Sequence, residues 1–156
     1  MEVGRIKSIA ARGDDILVTA RVNRGLGLKE GAVFYISDSS LMGGTVLNIA
    51  QNACQALTDR ISAGDAVLTL RTRVARQITF GKQRYRLALE LHVIDNGPGV
   101  PDSIKDRVFY PLVSGRDGGS GLGLTLAQTF VQQHHGLIEV DSVPGRTDFK
   151  ILIPLP

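Results

Sequence analysis

Two glycine-rich segments stand close together in the second half of this chain, and they constrain it more than any other feature. The first is Asp95-Asn96-Gly97-Pro98-Gly99, and the second is Gly118-Gly119-Ser120-Gly121-Leu122-Gly123-Leu124. The aliphatic run Leu91-His92-Val93-Ile94 leads into the first, as a buried strand leads to its end. The second opens a helical pattern. A glycine-rich turn feeding a helix exposes backbone N–H groups at the positive end of the helix dipole, which suits phosphates. Upstream, Asn48 and Asn52 stand four apart on one helical face, with Gln51 and Gln55 beside them. An Asn carbonyl is a hard oxygen ligand of the kind Mg²⁺ accepts together with phosphates and waters. Asp95, at the mouth of an apolar strand end, can accept a hydrogen bond from an exocyclic amine such as that of adenine. Gly97 and Gly99 permit close backbone approach to a flat ring and positive φ. Alone, these pieces read as a turn, a loop and a solvated stripe. Together and in this order, they describe a nucleotide pocket built without a Walker lysine.

The chain has 156 residues, enough for one compact domain, and its 43% hydrophobic and 21% charged content is that of a globular protein. No apolar run approaches the roughly 18–20 residues that span a bilayer. The N-terminus Met1-Glu2-Val3-Gly4 carries no signal-peptide pattern. A cytoplasmic protein is expected, with no membrane partner. The single cysteine, Cys54, has no partner for an internal disulfide and sits in a helical pattern, as a small core residue does. The net charge is +3, and Arg71, Arg73, Arg76, Lys82, Arg84 and Arg86 bunch together. Without aromatic interleaving this bunch reads as the solvated side of a hairpin, and no nucleic-acid partner is expected.

Residues 1–44 read as short strands with glycine turns, 16–22 and 32–36 being the strand candidates. A helix is expected from Thr45 to about Arg60, starting after Gly43-Gly44. Ala66–Phe80 and Tyr85–Ile94 read as an antiparallel hairpin turning at Gly81. A short helix starts at Asp102 or Ser103, and residues 110–120 read as a mobile loop. A long helix follows from Leu122 to about His134, with Gly136 as its C′ residue. Strands Leu137–Val143 and Thr147–Leu155 close the chain around Pro144-Gly145-Arg146. The expected fold is α+β: a mixed, mainly antiparallel sheet covered on one face by helices, a two-layer sandwich.

Asn48-Ile49-Ala50-Gln51-Asn52-Ala53 resembles the N box of sensor histidine kinases, and Asp95–Gly99 their first glycine box. Phe109-Tyr110-Pro111 resembles the F box, Gly119–Leu124 the second glycine box, and Gly145-Arg146-Thr147 the closing Gly-x-Thr. The resemblance covers residues 38–156 of a single domain 1–156, with residues 1–37 unrecognised. It is to the catalytic ATP-binding domain shared with gyrase, the 90-kDa heat-shock chaperones and MutL proteins, a Bergerat-type fold. Residues 109–116 are especially similar to nitrogen-regulation kinases of the NtrB type. The resemblance implies ATP and Mg²⁺ as cofactors, with Asn52 as the metal ligand and Asn48 as a phosphate-side contact. It further implies Asp95 and Thr147 at the adenine, and Gly97 and Gly99 at the base and the hinge of an ATP lid over 110–120. Arg116, Gly119, Ser120, Gly121, Leu122 and Gly123 would lie near the phosphates.

In the ATPase branches of this superfamily an acidic base typically stands where Asn48 stands here. Asn has no group that titrates near neutrality, so the resemblance favours holding ATP for transfer over hydrolysing it. No segment resembles the dimerisation helix with its phospho-accepting histidine. His92 sits in a strand, and His134 and His135 close a helix, where a cation is favourable. The expectation is an isolated catalytic domain acting on a dimerisation domain, with a response regulator and a PII-type signal protein as further partners. The alternatives are an ATPase of the same superfamily and a non-catalytic nucleotide-binding or interaction module.

Overall fold

The computed structural model describes residues 4–12, 15–22, 40–115 and 119–155, with side chains from Thr45 onward except Leu47. The expected strand at 32–36 lies outside the described residues. Six strands form one sheet in the order β1-β2-β3-β4-β6-β5, and all five described pairings are antiparallel. The strands are β1 Gly4–Arg12, β2 Asp15–Val22, β3 Val67–Phe80, β4 Gln83–Asp95, β5 Leu137–Val143 and β6 Arg146–Pro154. The helices are α1 Ser40–Ala56, α2 Thr58–Ala63, α3 Asp102–Lys105 and α4 Gly123–Gln133. The expected "mixed" sheet is thus antiparallel throughout its described pairs, with short hairpin turns joining β3 to β4 and β5 to β6.

The layers follow from side-chain period. Leu91, Val93 and Asp95 of β4 alternate with Glu90, His92 and Ile94. The first set shares its face with Leu68 of β3 and with Thr147, Phe149, Ile151 and Ile153 of β6. Against that face lie α1 and α4. Val46, Ile49, Ala50, Ala53 and Leu57 of α1 recur at helical spacing and are all buried, together with Ala127 and Val131 of α4. The opposite helical face of α1 is left to Asn48, Asn52 and Gln55.

Helix α1 begins at Ser40 and not after Gly44, so it runs through both glycines. Each glycine costs about 1 kcal/mol of helix propensity, but Thr45 and Val46 are buried at the next turn, and that packing outweighs the local penalty. At its far end Leu57, fully buried, interrupts the helix, and α2 continues to Gly64 at φ 79°. The long β3–β4 hairpin turns at Gly81 and Lys82, both with positive φ, as a two-residue primed turn demands.

Helix α4 ends differently from expectation. The left-handed residue is His135, at φ 55°, and not Gly136. Gly136 is required for packing: a Cβ there would strike the Leu152 carbonyl oxygen and come within 2.9 Å of Val131 Cγ1. His134 Nδ1 lies 2.9 Å from the Phe130 carbonyl oxygen, capping the helix C-terminus.

The other face of the sheet carries a chain of charges. Arg73 donates two hydrogen bonds to Glu90, at 2.8 and 2.9 Å. His92 Nε2 is 2.8 Å from Glu90 Oε1 and His92 Nδ1 is 2.8 Å from Asp148 Oδ1. Arg146 donates to Asp148 at 2.6 Å. Burial alone would raise the Glu90 carboxyl, but hydrogen bonds from Arg73 and His92 hold it below its ordinary value. The arginine bunch is therefore partly enlisted: Arg73 pairs with Glu90 across β3 and β4, and Arg84 donates to Gln77 Oε1 at 3.4 Å.

Candidate functional site

The helix layer leaves a cavity of about 1130 Å³ between α1, the Asp95–Val100 loop, α3, the start of α4 and the β5–β6 turn. Its floor is the end of β4. Asp95 is 4% exposed, and its Oδ1 accepts the Gly97 N–H at 2.9 Å. The other carboxylate oxygen makes no hydrogen bond among the described residues, and Asp95 lines the cavity. Burial pushes this carboxyl above its usual value, and the Gly97 hydrogen bond only partly offsets that. Thr147, the register partner of Asp95 on β6, also lines the floor and is buried.

Asn48 and Asn52 form one wall. Their α1 face points away from the core residues on the same helix, which is why both are only half-buried. The Asn48 side chain makes no hydrogen bond among the described residues. Gly123, at the first turn of α4, lies across from Asn52: a Cβ built there would sit 3.6 Å from Asn52 Nδ2.

The loops are held by specific contacts. Asn96 Oδ1 accepts the Val67 N–H at 2.8 Å and Asn96 Nδ2 donates to the Asp65 carbonyl at 2.9 Å, locking the loop to the start of β3. Gly145 N donates to the Gly97 carbonyl at 2.8 Å, joining that loop to the β5–β6 turn. Gly97 is not at positive φ. It is needed because a Cβ would lie 2.8 Å from Asp95 Oδ1. Gly99, at φ 89°, does use the left-handed region, with Val143 and Pro144 backbone 3.1–3.2 Å from where a Cβ would be. Gly121, at φ 63°, presses on the Leu112 backbone, and Leu112 N donates to its carbonyl at 3.2 Å.

The sequence-derived set converges closely. Asn48, Asn52, Asp95, Gly99, Gly119, Ser120, Gly121, Gly123 and Thr147 all line the one cavity. Gly97 supports Asp95 from behind. Leu122 does not line it: it is the residue ahead of α4, largely exposed. Arg116 lies outside the described residues, as do Asp117 and Gly118, so the lid expectation for 110–120 falls partly there. Phe109 packs edge-to-face on Phe149 with ring centroids 6.3 Å apart, anchoring the segment that leads toward the second glycine loop. Sequence reading missed Ser142 and Lys105, which line the same cavity. Ser142 Oγ accepts the Val100 N–H at 2.8 Å and lies 3.0 Å from Thr147 Oγ1, and Lys105 donates to the Ser142 carbonyl. A serine in a strand and a lysine in a single-turn helix carry no local signal of a site.

Cys54, buried in α1, is no nucleophile. Burial, with the Asp95 charge adding to it, raises its thiol to about 11.

Residues 37–156 match the family described as histidine kinase-, DNA gyrase B- and HSP90-like ATPase. The chain is 50% identical over 110 residues to the sensory histidine kinase/phosphatase NtrB of Salmonella typhimurium, an overlap of 70% of this chain and 30% of that protein. It is 34% identical to the NtrB of Rhodobacter capsulatus, covering 90% of this chain and 42% of that one. The chain thus spans less than half the length of these curated relatives. Among solved structures, a mycobacterial sensor histidine kinase, MprB, superposes with a TM-score of 0.54 at 29% identity, over 76% of this chain and 75% of that one. The catalytic domain of the histidine kinase ThkA shares the fold, with a TM-score of 0.51 at 20% identity over 73% of this chain and 66% of its own. The chain therefore belongs to the histidine kinase-, DNA gyrase B- and HSP90-like ATPase family, whose ATP-binding domain residues 37–156 match.

Proposed function

We propose that the 156-residue chain works as one unit that positions Mg-ATP for phosphoryl transfer to a histidine on a separate dimerisation domain, in a cytoplasmic nitrogen-regulation kinase. The observation that carries this is the floor of the cavity. A buried carboxylate, Asp95, keeps one oxygen unbonded among the described residues, beside a buried hydroxyl, Thr147. Such a pair would bind the amino edge of an adenine. The volume suits a nucleotide, since ligand cavities run to about 1,000 Å³.

The donor set also fits the metal. Among the described residues no cluster of three or more His, Cys, Asp or Glu could hold an ion unaided. Mg²⁺ characteristically relies on few protein oxygens and completes its shell with phosphates and waters. Asn52 would supply the amide oxygen, Asn48 would face the phosphates, and Gly119, Ser120, Gly121 and Gly123 would offer backbone N–H groups at the start of α4. Arg116 is proposed as a cation of the lid. Bound Mg²⁺ supplies charge neutralisation on the transferring phosphoryl group. Asn48, Asn52 and the backbone N–H groups at the start of α4 would position it. Asn48 cannot take a proton from water, so the wall facing the phosphates lacks a general base there. Asp59 and Asp102 reach the rim of the cavity from exposed positions.

The further partners in this reading are a response regulator that receives the phosphoryl group and a PII-type signal protein. The test is to mix the chain, γ-labelled ATP and Mg²⁺ with the dimerisation domain of an NtrB-type kinase. Label on the acceptor histidine, dependent on Mg²⁺, is expected. ATP binding without transfer would favour a non-catalytic switch, and steady phosphate release without transfer would favour an ATPase.

A further inference from the structure

Ser142 touches several parts of the cavity wall at once. It lies on β5 in register with Thr147 on β6 and is 3% exposed. Its Oγ receives the Val100 N–H at 2.8 Å and stands 3.0 Å from Thr147 Oγ1. Lys105 Nζ donates to its backbone oxygen. The glycine loop, α3 and the strand floor therefore meet at this one residue.

The hydroxyl pair has two possible directions. A backbone N–H can only donate, so Ser142 Oγ accepts from Val100. Toward Thr147 Oγ1 it can either donate its own proton or accept on its second lone pair. When Ser142 is the donor the Thr147 proton is freed, and the Thr147 side chain makes no other hydrogen bond among the described residues. Asp95 stands opposite Thr147 in the β4–β6 register, so both side chains project from one face about 5 Å apart at Cβ. The floor then offers an acceptor, Asp95, beside a donor, Thr147. Adenine presents the complement: an amino donor at C6 next to a ring acceptor at N1. Guanine presents the reverse, a carbonyl acceptor next to an N–H donor.

We propose that Ser142 is a positioning residue for base recognition, orienting the Thr147 hydroxyl as a donor toward the adenine N1, directly or through one ordered water. This rests on the nucleotide reading above. Ser142 itself does not touch the base.

The test pairs a residue deletion with a deletion in the ligand. ADP and 1-deaza-ADP, in which N1 is replaced by C–H, are titrated calorimetrically against this chain. The wild type should prefer ADP by about tenfold, the worth of one hydrogen bond that leaves a buried group unpaired when lost. Ser142→Ala should bind ADP about tenfold more weakly and discriminate against 1-deaza-ADP by less than about threefold. Adding Ser142→Ala to Thr147→Val should cause no further loss of discrimination. Thermal melting without nucleotide reports whether Ser142→Ala folds. If it does not, Ser142→Cys, near in shape but a weaker donor, should give intermediate discrimination. Undiminished discrimination in the folded Ala or Cys variant would overturn the role of Ser142 while leaving the nucleotide reading intact. Failure of the wild type to bind ADP would overturn both.

Discussion

Gly121→Ala is the substitution whose consequence the geometry specifies most closely. Gly121 sits at φ 63°, and a Cβ there would lie 2.6 Å from the Leu112 carbonyl carbon and 2.7 Å from Leu112 Cα. Both neighbours are backbone atoms, which cannot swing away as a side chain would. The left-handed conformation costs an alanine roughly 1–2 kcal/mol, and the overlap adds about 1–3 kcal/mol if nothing moves. The loop need not bear that sum. Described contacts holding it include the 3.2 Å bond from Leu112 N to the Gly121 carbonyl and the 3.4 Å bond from Thr125 Oγ1 to the same carbonyl. Releasing two such bonds costs about 1–3 kcal/mol, so the loop should detach from Leu112 before the core unfolds. The expected outcome is a melting temperature lowered by only a few degrees, with ATP affinity down by ten- to a hundredfold, about 1.4–2.8 kcal/mol. Calorimetric titration and thermal melting on the same sample separate the two. Gly123→Ala is the control, since its Cβ would meet only Asn52 Nδ2 at 3.6 Å and alanine gains about 1 kcal/mol of helix propensity. Its melting temperature should hold or rise. Wild-type affinity in Gly121→Ala would refute the reasoning, as would equal damage from both variants.

Three further outcomes are expected. Glu90→Gln should destabilise the chain by about 2 kcal/mol in urea unfolding, because it strips a 3% exposed carboxylate from Arg73 and His92; a change below about 0.5 kcal/mol would contradict it. Stability and binding should depend on pH with opposite contributions from two carboxyls. Glu90 lies below its ordinary 4.5 when folded, so its contribution is full above the unfolded value and is lost as pH falls through the folded one. Asp95 lies above its ordinary 3.8 when folded, so its ionisation lowers stability as pH rises from the unfolded to the folded value, and its protonation on acidification should weaken ATP binding before an ordinary aspartate would titrate. Binding that weakens only where an ordinary aspartate titrates, or not at all, would count against Asp95 at the base. Cys54 should resist alkylation at pH 8 in the folded chain, with its thiol at about 11, and react quickly once urea unfolds it.

Local chemistry made much of this molecule readable. The alternation from Leu87 to Ile94 gave β4 its two faces, and Gly81 marked the hairpin turn. Asp95 and the two asparagines could be found because their residue types and spacing are informative before folding. What could not be read locally was set by packing. Gly43 and Gly44 argue against a helix, yet α1 runs through them because Thr45 and Val46 are buried beyond. Gly121 and Gly123 of the second loop look alike in sequence, but of the two Gly121 alone meets backbone at both a short distance and positive φ. Gly136 looks like a helix cap and is a packing residue under Leu152. Ser142 and Lys105 become parts of the site only when the β5–β6 turn closes on the glycine loop.

The central claim is that a buried carboxylate reads the nucleotide base, and Asp95→Asn tests it most directly. The variant removes a charge that burial disfavours, so its melting temperature should equal or exceed that of the wild type. Its calorimetric titration with Mg-ATP should show affinity lowered by about ten- to a hundredfold, the loss of a charge-assisted hydrogen bond. Undiminished affinity in the folded variant would contradict the account.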